Sequence, residues 1–91
     1  MRLVISFDPA KDVVNQEKHG TSLAEAEHLV WEEAFISEDR RKAYGENRMI
    51  AIAPIGQRLF VAIYTDRGSV RRIISLRKAN DREVKAYIAH F

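Results

Sequence analysis

Five cations fall between positions 67 and 78: Arg67, Arg71, Arg72, Arg77 and Lys78. They belong to two apolar segments, Leu59–Tyr64 and Val70–Leu76, which flank the turn-like Asp66-Arg67-Gly68-Ser69. Both segments are rich in Val, Ile, Phe and Tyr, residues that fit a pleated, half-buried surface. Gly68 can take the positive φ that a tight hairpin requires. The stretch therefore reads as a β-hairpin presenting guanidinium groups. Planar guanidinium forks match phosphate oxygens better than a lysine point charge does. Holding phosphates is the chemistry this pattern suits. A solvated strand edge with arginines guarding against aggregation is the plainer alternative.

One histidine adds a second kind of chemistry. His19 titrates near neutrality, as an acid–base group must, although a cation in a helix's last turn also suits the helix dipole. His28, mid-helix, and His90, one residue from the end, read as structural or surface groups.

The elements that must position these groups are legible in outline. Leu3 to Phe7 reads as a short strand. Asp8-Pro9 reads as a helix start, with Asp as N-cap and Pro first in the helix. That helix is expected to run to His19, with Val13 and Val14 on its buried side and Gly20 as its stop. Ser22-Leu23-Ala24-Glu25 matches a capping box. Leu23, Ala26, Leu29 and Val30 then supply an apolar stripe, so the two helices form an N-terminal αα-hairpin. Strands follow at Ala34–Ser37 and Arg48–Ala53, with a polar connection at 38–47, and then the hairpin. Asn80 and Glu83 mark a last helix with the stripe Val84, Tyr87, Ile88 and Phe91. The order β-α-α-β-β-β-β-α implies an α+β fold with a mostly antiparallel sheet of four to five strands.

Composition bounds the rest. Ninety-one residues with 46% apolar side chains suit one globular domain over 1–91. There is no cysteine, hence no disulfide framework and no cysteine-based zinc site. No apolar run approaches the roughly 18 residues of a membrane span, and no signal-peptide pattern opens the chain. A cytoplasmic location without membrane contact is the expectation. The net charge of +2 conceals an asymmetry: residues 1–57 carry a balance of −3, and 58–82 one of +5. Ten of the fifteen basic residues are Arg, which favours a local nucleic-acid footprint over general solubility. A helix-turn-helix DNA binder is excluded in practice, because Glu25, Glu27, Glu32 and Glu33 on the second helix would repel phosphate.

A family resemblance spans nearly the whole chain. Its parts are Phe7-Asp8-Pro9-Ala10-Lys11, Asn15, Lys18-His19-Gly20 with Ser22, Glu25 and Ala26, then Glu46 and Arg48, and Tyr64-Thr65-Asp66-Arg67. It closes with Arg72-Ile73-Ile74-Ser75-Leu76-Arg77-Lys78-Ala79, Glu83 and Tyr87. In this order they resemble the BrnT toxins of type II BrnT–BrnA toxin–antitoxin systems. Leu76, Ala53 and the run His19-Gly20-Thr21-Ser22-Leu23 depart from the family's usual residues without removing a titratable or basic group. The resemblance implies a RelE-like fold and ribonuclease activity that inhibits translation and growth. It also implies neutralisation by a BrnA-type antitoxin whose ribbon-helix-helix domain makes the only contact with DNA.

Metal-free RNA cleavage would use the 2′-hydroxyl as nucleophile, with no cofactor and no metal. It needs a base, an acid and cations around the phosphorus. His19, Glu46, Tyr64 and Lys18 are the candidates for proton transfer, with His19 preferred. Arg67 and Arg77 are the favoured phosphate ligands, and Tyr64 could stack a base or lend its hydroxyl. The catalytic set is therefore His19, Arg67, Arg77 and Tyr64. Lys18, Arg48, Arg71, Arg72 and Lys78 are expected to contact RNA. Simple alternation puts Arg71, Ile73, Ser75 and Arg77 on one face and Arg72, Ile74, Leu76 and Lys78 on the other. Either a bulge or the strand's twist reconciles Arg72 with Arg77, or Arg72 is structural and pairs with a carboxylate such as Glu25 or Glu46. Glu83 has its own use as the capping partner of Asn80. The competing reading is a non-catalytic, basic-faced module that binds RNA or only its antitoxin.

Overall fold

A computed structural model describes residues 3–91. Strand β1 (Val4–Ser6) leads into helix α1 (Pro9–His19), and two short 3₁₀ helices follow at Leu23–His28 and Trp31–Glu33. Strands β2 (Phe35–Glu38), β3 (Met49–Ile55), β4 (Arg58–Arg67) and β5 (Val70–Lys78) precede helix α2 (Asp81–His90). The five strands form one sheet in the order β1-β5-β4-β3-β2. All pairs are antiparallel except β1 with β5, which run parallel. The α+β expectation holds, with a mixed sheet.

The helix ends follow the local chemistry. The Asp8 carboxylate accepts from the Ala10 N–H at 2.9 Å, Pro9 opens α1, and Gly20 ends it at φ 69°. Asn80 and Glu83 form a reciprocal capping box at α2.

The expected αα-hairpin is corrected. Its second member is 3₁₀, which completes a turn in three residues and so stacks positions three apart. Leu23, Ala26 and Leu29 have that spacing, and all three are buried. They cover one face of the sheet, packing with Ala51, Ala53, Ala62, Tyr64, Ile73 and Leu76. The Asp12 carboxylate anchors the segment by accepting from the Leu23 N–H at 2.7 Å and the Ser22 hydroxyl at 3.1 Å.

A second correction concerns α1, whose Val13 and Val14 are more than half exposed while Asn15 is 5% exposed. The reason lies in the strand beside it. β1 pairs with β5 only as far as Arg72, leaving the outer edge of β5 beyond that point without a strand partner. Asn15 takes over there. Its Nδ2 donates to the Leu76 carbonyl at 2.8 Å and the Thr21 carbonyl at 2.7 Å, and its Oδ1 accepts from the Leu76 N–H at 3.3 Å. An edge that needs hydrogen bonds buries an amide rather than a valine.

Helix α2 covers part of the opposite face, where Val84 and Tyr87 pack on Ile52, Val61 and Ala79. The Tyr87 hydroxyl donates to the Glu33 carbonyl at 2.8 Å. Only half of the expected stripe is used, since Ile88 and Phe91 stay 67% and 70% exposed.

Candidate nucleic-acid interface

The decisive feature lies between β4 and β5. Ile63 pairs with Ser75, but its neighbour Tyr64 pairs with Ile73, so Ile74 is an extra residue with no partner. This β-bulge changes which side chains share a face. Directly paired residues point the same way. Arg77, Ser75 and Arg72 therefore lie on the α2 side with Val61, Ile63 and Thr65. Arg71, Ile73, Leu76 and Lys78 lie on the 3₁₀ side with Asp66, Tyr64, Ala62 and Phe60. Simple alternation is corrected, and Arg72 joins Arg77.

On the 3₁₀ side the sequence-derived candidates do structural work. The Arg71 guanidinium lies 4.3 Å from the Tyr64 ring centroid and 4.7 Å from that of Trp31. It also donates to both Asp66 carboxylate oxygens, at 2.8 and 3.0 Å. Tyr64 is 2% exposed, edge-on to Trp31, and burial pushes its phenol pKa up. Lys78 borders a hollow that includes Glu25, Ser22 and Phe60. Tyr64, Arg71 and Lys78 are thus separated from the remaining candidates by the thickness of the sheet.

The other side holds two adjoining depressions. One is a groove of about 400 Å³ between α1 and β5, lined by Lys11, Val14, Lys18, His19, Ile74 and Ser75 among others. Burial, then Lys18, then Arg77 hold the His19 imidazole below its ordinary pKa of 6.5, so it is neutral at pH 7. Arg77 is fixed by Glu83, with Nη1 and Nη2 donating at 2.7 and 2.8 Å to its two oxygens. This pairing keeps the Glu83 carboxyl below its usual pKa, hence ionised. Among the described residues the Arg77 Nε–H has no hydrogen-bond partner, since the bonds Arg77 makes run through Nη1 and Nη2. Glu83 therefore both caps α2 and positions Arg77, the second role being one that its capping signature concealed.

The second depression is a cup of about 230 Å³ whose walls include Lys11, Arg48, Arg67 and Arg72, with Asp8 and Glu46. Lys11 and Ile74 border both depressions. Arg67 and Arg77, expected to act together, stand at opposite ends of β5. Val70, the partner of Arg67, is seven residues from Arg77, or about 20 Å along a strand. Arg72 meets neither Glu25 nor Glu46; its Nη1 donates to the Ser6 hydroxyl at 3.4 Å.

Glu46 and Arg48 are carried by the connection from β2 to β3, which folds around a buried acid. Asp39 is 4% exposed and accepts from Arg41 Nε and Nη2, both at 2.8 Å, and from the Tyr44 hydroxyl at 3.1 Å. These bonds hold its carboxyl far below the usual range, with Arg41 the principal cause. A depressed folded pKa stabilises the protein above the unfolded value of about 3.8, and the gain fades as pH falls toward the folded one. Asp39→Asn is expected to lower the melting temperature at pH 7, with a gap from wild type that narrows below about pH 4. Thermal denaturation of both proteins across that range checks this; a gap constant with pH would rule it out.

Among the described residues no group of three or more His, Asp or Glu side chains is placed to hold a metal ion. Nor is any helix among them long and apolar enough to cross a membrane. Comparison with protein families matches residues 7–83 to the model described as "Ribonuclease toxin, BrnT, of type II toxin-antitoxin system". Comparison with curated proteins gives no match.

Proposed function

Because the chain belongs to the BrnT family of ribonuclease toxins of type II toxin–antitoxin systems, we propose that its α1–β5 groove is where RNA is cut, without a metal ion. The observation that carries this reading is the place of His19: in the groove, with Lys18 and Arg77 beside it and disfavouring its imidazolium. His19 accepts the proton of the substrate's 2′-hydroxyl as that oxygen attacks the adjacent phosphorus. The new O2′–P bond forms as the P–O5′ bond breaks, leaving a 2′,3′-cyclic phosphate. Lys18, lining the same groove, supplies the proton taken by the departing 5′-oxygen. Arg77 offers its Nε–H to the phosphate as negative charge builds on it. Glu83 holds the guanidinium in place, so little reorganisation is needed when the phosphate arrives.

The same reading makes the fold RelE-like and the protein a cytoplasmic toxin that inhibits translation. Its partner is a BrnA-type antitoxin with a ribbon-helix-helix domain, which covers the arginines with acidic or apolar residues. One observation favours the non-catalytic alternative: two of the Arg77 nitrogens are already committed to a carboxylate.

Incubating RNA with purified protein in EDTA, wild type beside Arg77→Lys, separates the two. Cleavage by wild type to 2′,3′-cyclic ends is expected. The lysine variant, with melting confirming its fold, should lose about 10²–10³-fold in rate, as when one oxyanion donor is removed. RNA left intact by wild type, alone and with ribosomes, yet bound tightly, would leave a docking surface and no enzyme.

A further inference from the structure

Four cations wall the cup, yet the proposed cleavage chemistry does not use it. The partners of its three arginines are poor. Arg48 lies with its guanidinium 4.1 Å from the Tyr44 ring centroid, and its Nε is buried without a hydrogen-bond partner. Arg72 donates to a neutral hydroxyl, at a long 3.4 Å. Arg67 is paired with Glu46 at a lengthy 3.3 Å, with its own side chain 59% exposed. Buried polar groups are normally satisfied, so an arginine left short of acceptors beside an open cup indicates an absent one. The acceptor geometry that suits converging arginines is a phosphate.

Cross-strand pairing assembles this cup, and the bulge borders it through Ile74. Arg48 immediately precedes Met49, the partner of Tyr64, and so falls opposite Thr65, which pairs with Arg72. Arg48, Thr65 and Arg72 thus form a row across three strands, with Arg67 beside it. Arg72 and Arg77 are five residues apart on β5, about 13–16 Å by strand rise. A single RNA strand covers that gap with about two to five nucleotides, depending on how fully its bases stack.

We propose that the cup of Lys11, Arg48, Arg67 and Arg72 is a second phosphate subsite. It holds an uncleaved phosphodiester of the same single RNA strand, a few nucleotides from the one cut at His19. Glu46 occupies Arg67 in the free protein and is displaced when the phosphodiester enters. The assignment rests on the cleavage reading for the identity of the strand, while the cup's affinity for phosphodiesters can be measured apart from it.

The test compares two non-cleavable probes, a 2′-O-methyl dinucleotide and a 2′-O-methyl hexanucleotide, by fluorescence anisotropy. The hexanucleotide is expected to bind wild type more tightly than the dinucleotide, with a steeper salt dependence by about 0.7 in log–log slope per added phosphate contact. Arg67→Gln and Arg48→Gln should each erase most of that gain, weakening the hexanucleotide about tenfold. Glu46→Gln removes the competing carboxylate and should tighten it severalfold. Two variants at separate points of the cup guard against a local folding defect in either. Equal losses on both probes in Arg67→Gln and Arg48→Gln would place the cup at the reacting phosphate and overturn the proposal. Unchanged hexanucleotide binding in both variants would overturn it too. If the hexanucleotide gain depends on the cup but wild type cleaves no RNA, the subsite stands and the catalytic reading falls.

Discussion

Replacing His19 with glutamine is expected to cut the RNA cleavage rate by about 10²–10⁴-fold, the usual contribution of a positioned general base. Glutamine keeps much of the volume and a polar tip but cannot accept and release a proton near neutral pH. The pH profile carries the stronger test. Burial, Lys18 and Arg77 all disfavour the imidazolium, so the wild-type rate should fall in acid with a midpoint below 6.5. Above that midpoint His19 is neutral and competent, which brings the rate at pH 7 closer to its plateau than an imidazole of ordinary pKa would. Lys18→Gln removes the proton donor, so the rate should fall, and also one of the two charges that depress the pKa, so the acid midpoint of the residual rate should move up toward 6.5. His19→Gln should abolish the midpoint altogether. An unaltered acid limb in that variant would assign the base elsewhere.

Asn15→Leu is expected to destabilise the protein by about 2–4 kcal/mol. The amide makes three buried hydrogen bonds to the backbone, two of them to Leu76 on β5. Leucine is of similar size and would leave the Leu76 N–H and C=O and the Thr21 C=O without their partner, while adding apolar contact. Each stranded group costs about 1–3 kcal/mol. For a chain this short the fall in melting temperature should be on the order of 10–20 °C. Asn15→Asp is a useful companion. It keeps the acceptor for the Leu76 N–H but turns a carboxylate toward two carbonyl oxygens, so it should be as harmful at pH 7 and less so in acid. Losses under about 1 kcal/mol in both variants would mean that water or a shifted helix replaces the clamp.

The sequence made the order of the strands and the caps of both α-helices visible because those signals are local: Asp8-Pro9, Gly20 and the Asn80–Glu83 box each act within a turn. What it hid depended on partners distant in the chain. Val13 and Val14 looked like the buried face of α1, but the helix lies along a strand edge, where an amide is worth more than a methyl group. Leu23, Ala26 and Leu29 recur every three residues, a 3₁₀ spacing that also fits an α-helical stripe. At the site, the residue types were legible and their sides were not. Tyr64 and Arg71 are polar or cationic within a basic hairpin, yet they form one cluster with Trp31 beneath the sheet. Nothing local marks Glu83 as the residue that fixes Arg77.

The unpaired Ile74 has a bearing on chain length. In an unbroken strand, odd and even positions write to opposite faces, and a cationic face shows up as a repeat of two. Here parity changes at a single residue, so Arg72 and Arg77, an odd interval apart, serve one surface while Arg71 and Arg77, an even interval apart, serve opposite ones. Removing Ile74 would leave every other pairing between β4 and β5 as it stands. A strand one residue shorter would then display the same arginines on the same faces, on a sheet with less twist. What Ile74 contributes is curvature and the shared rim of groove and cup, and through them the path a nucleotide chain follows from one to the other.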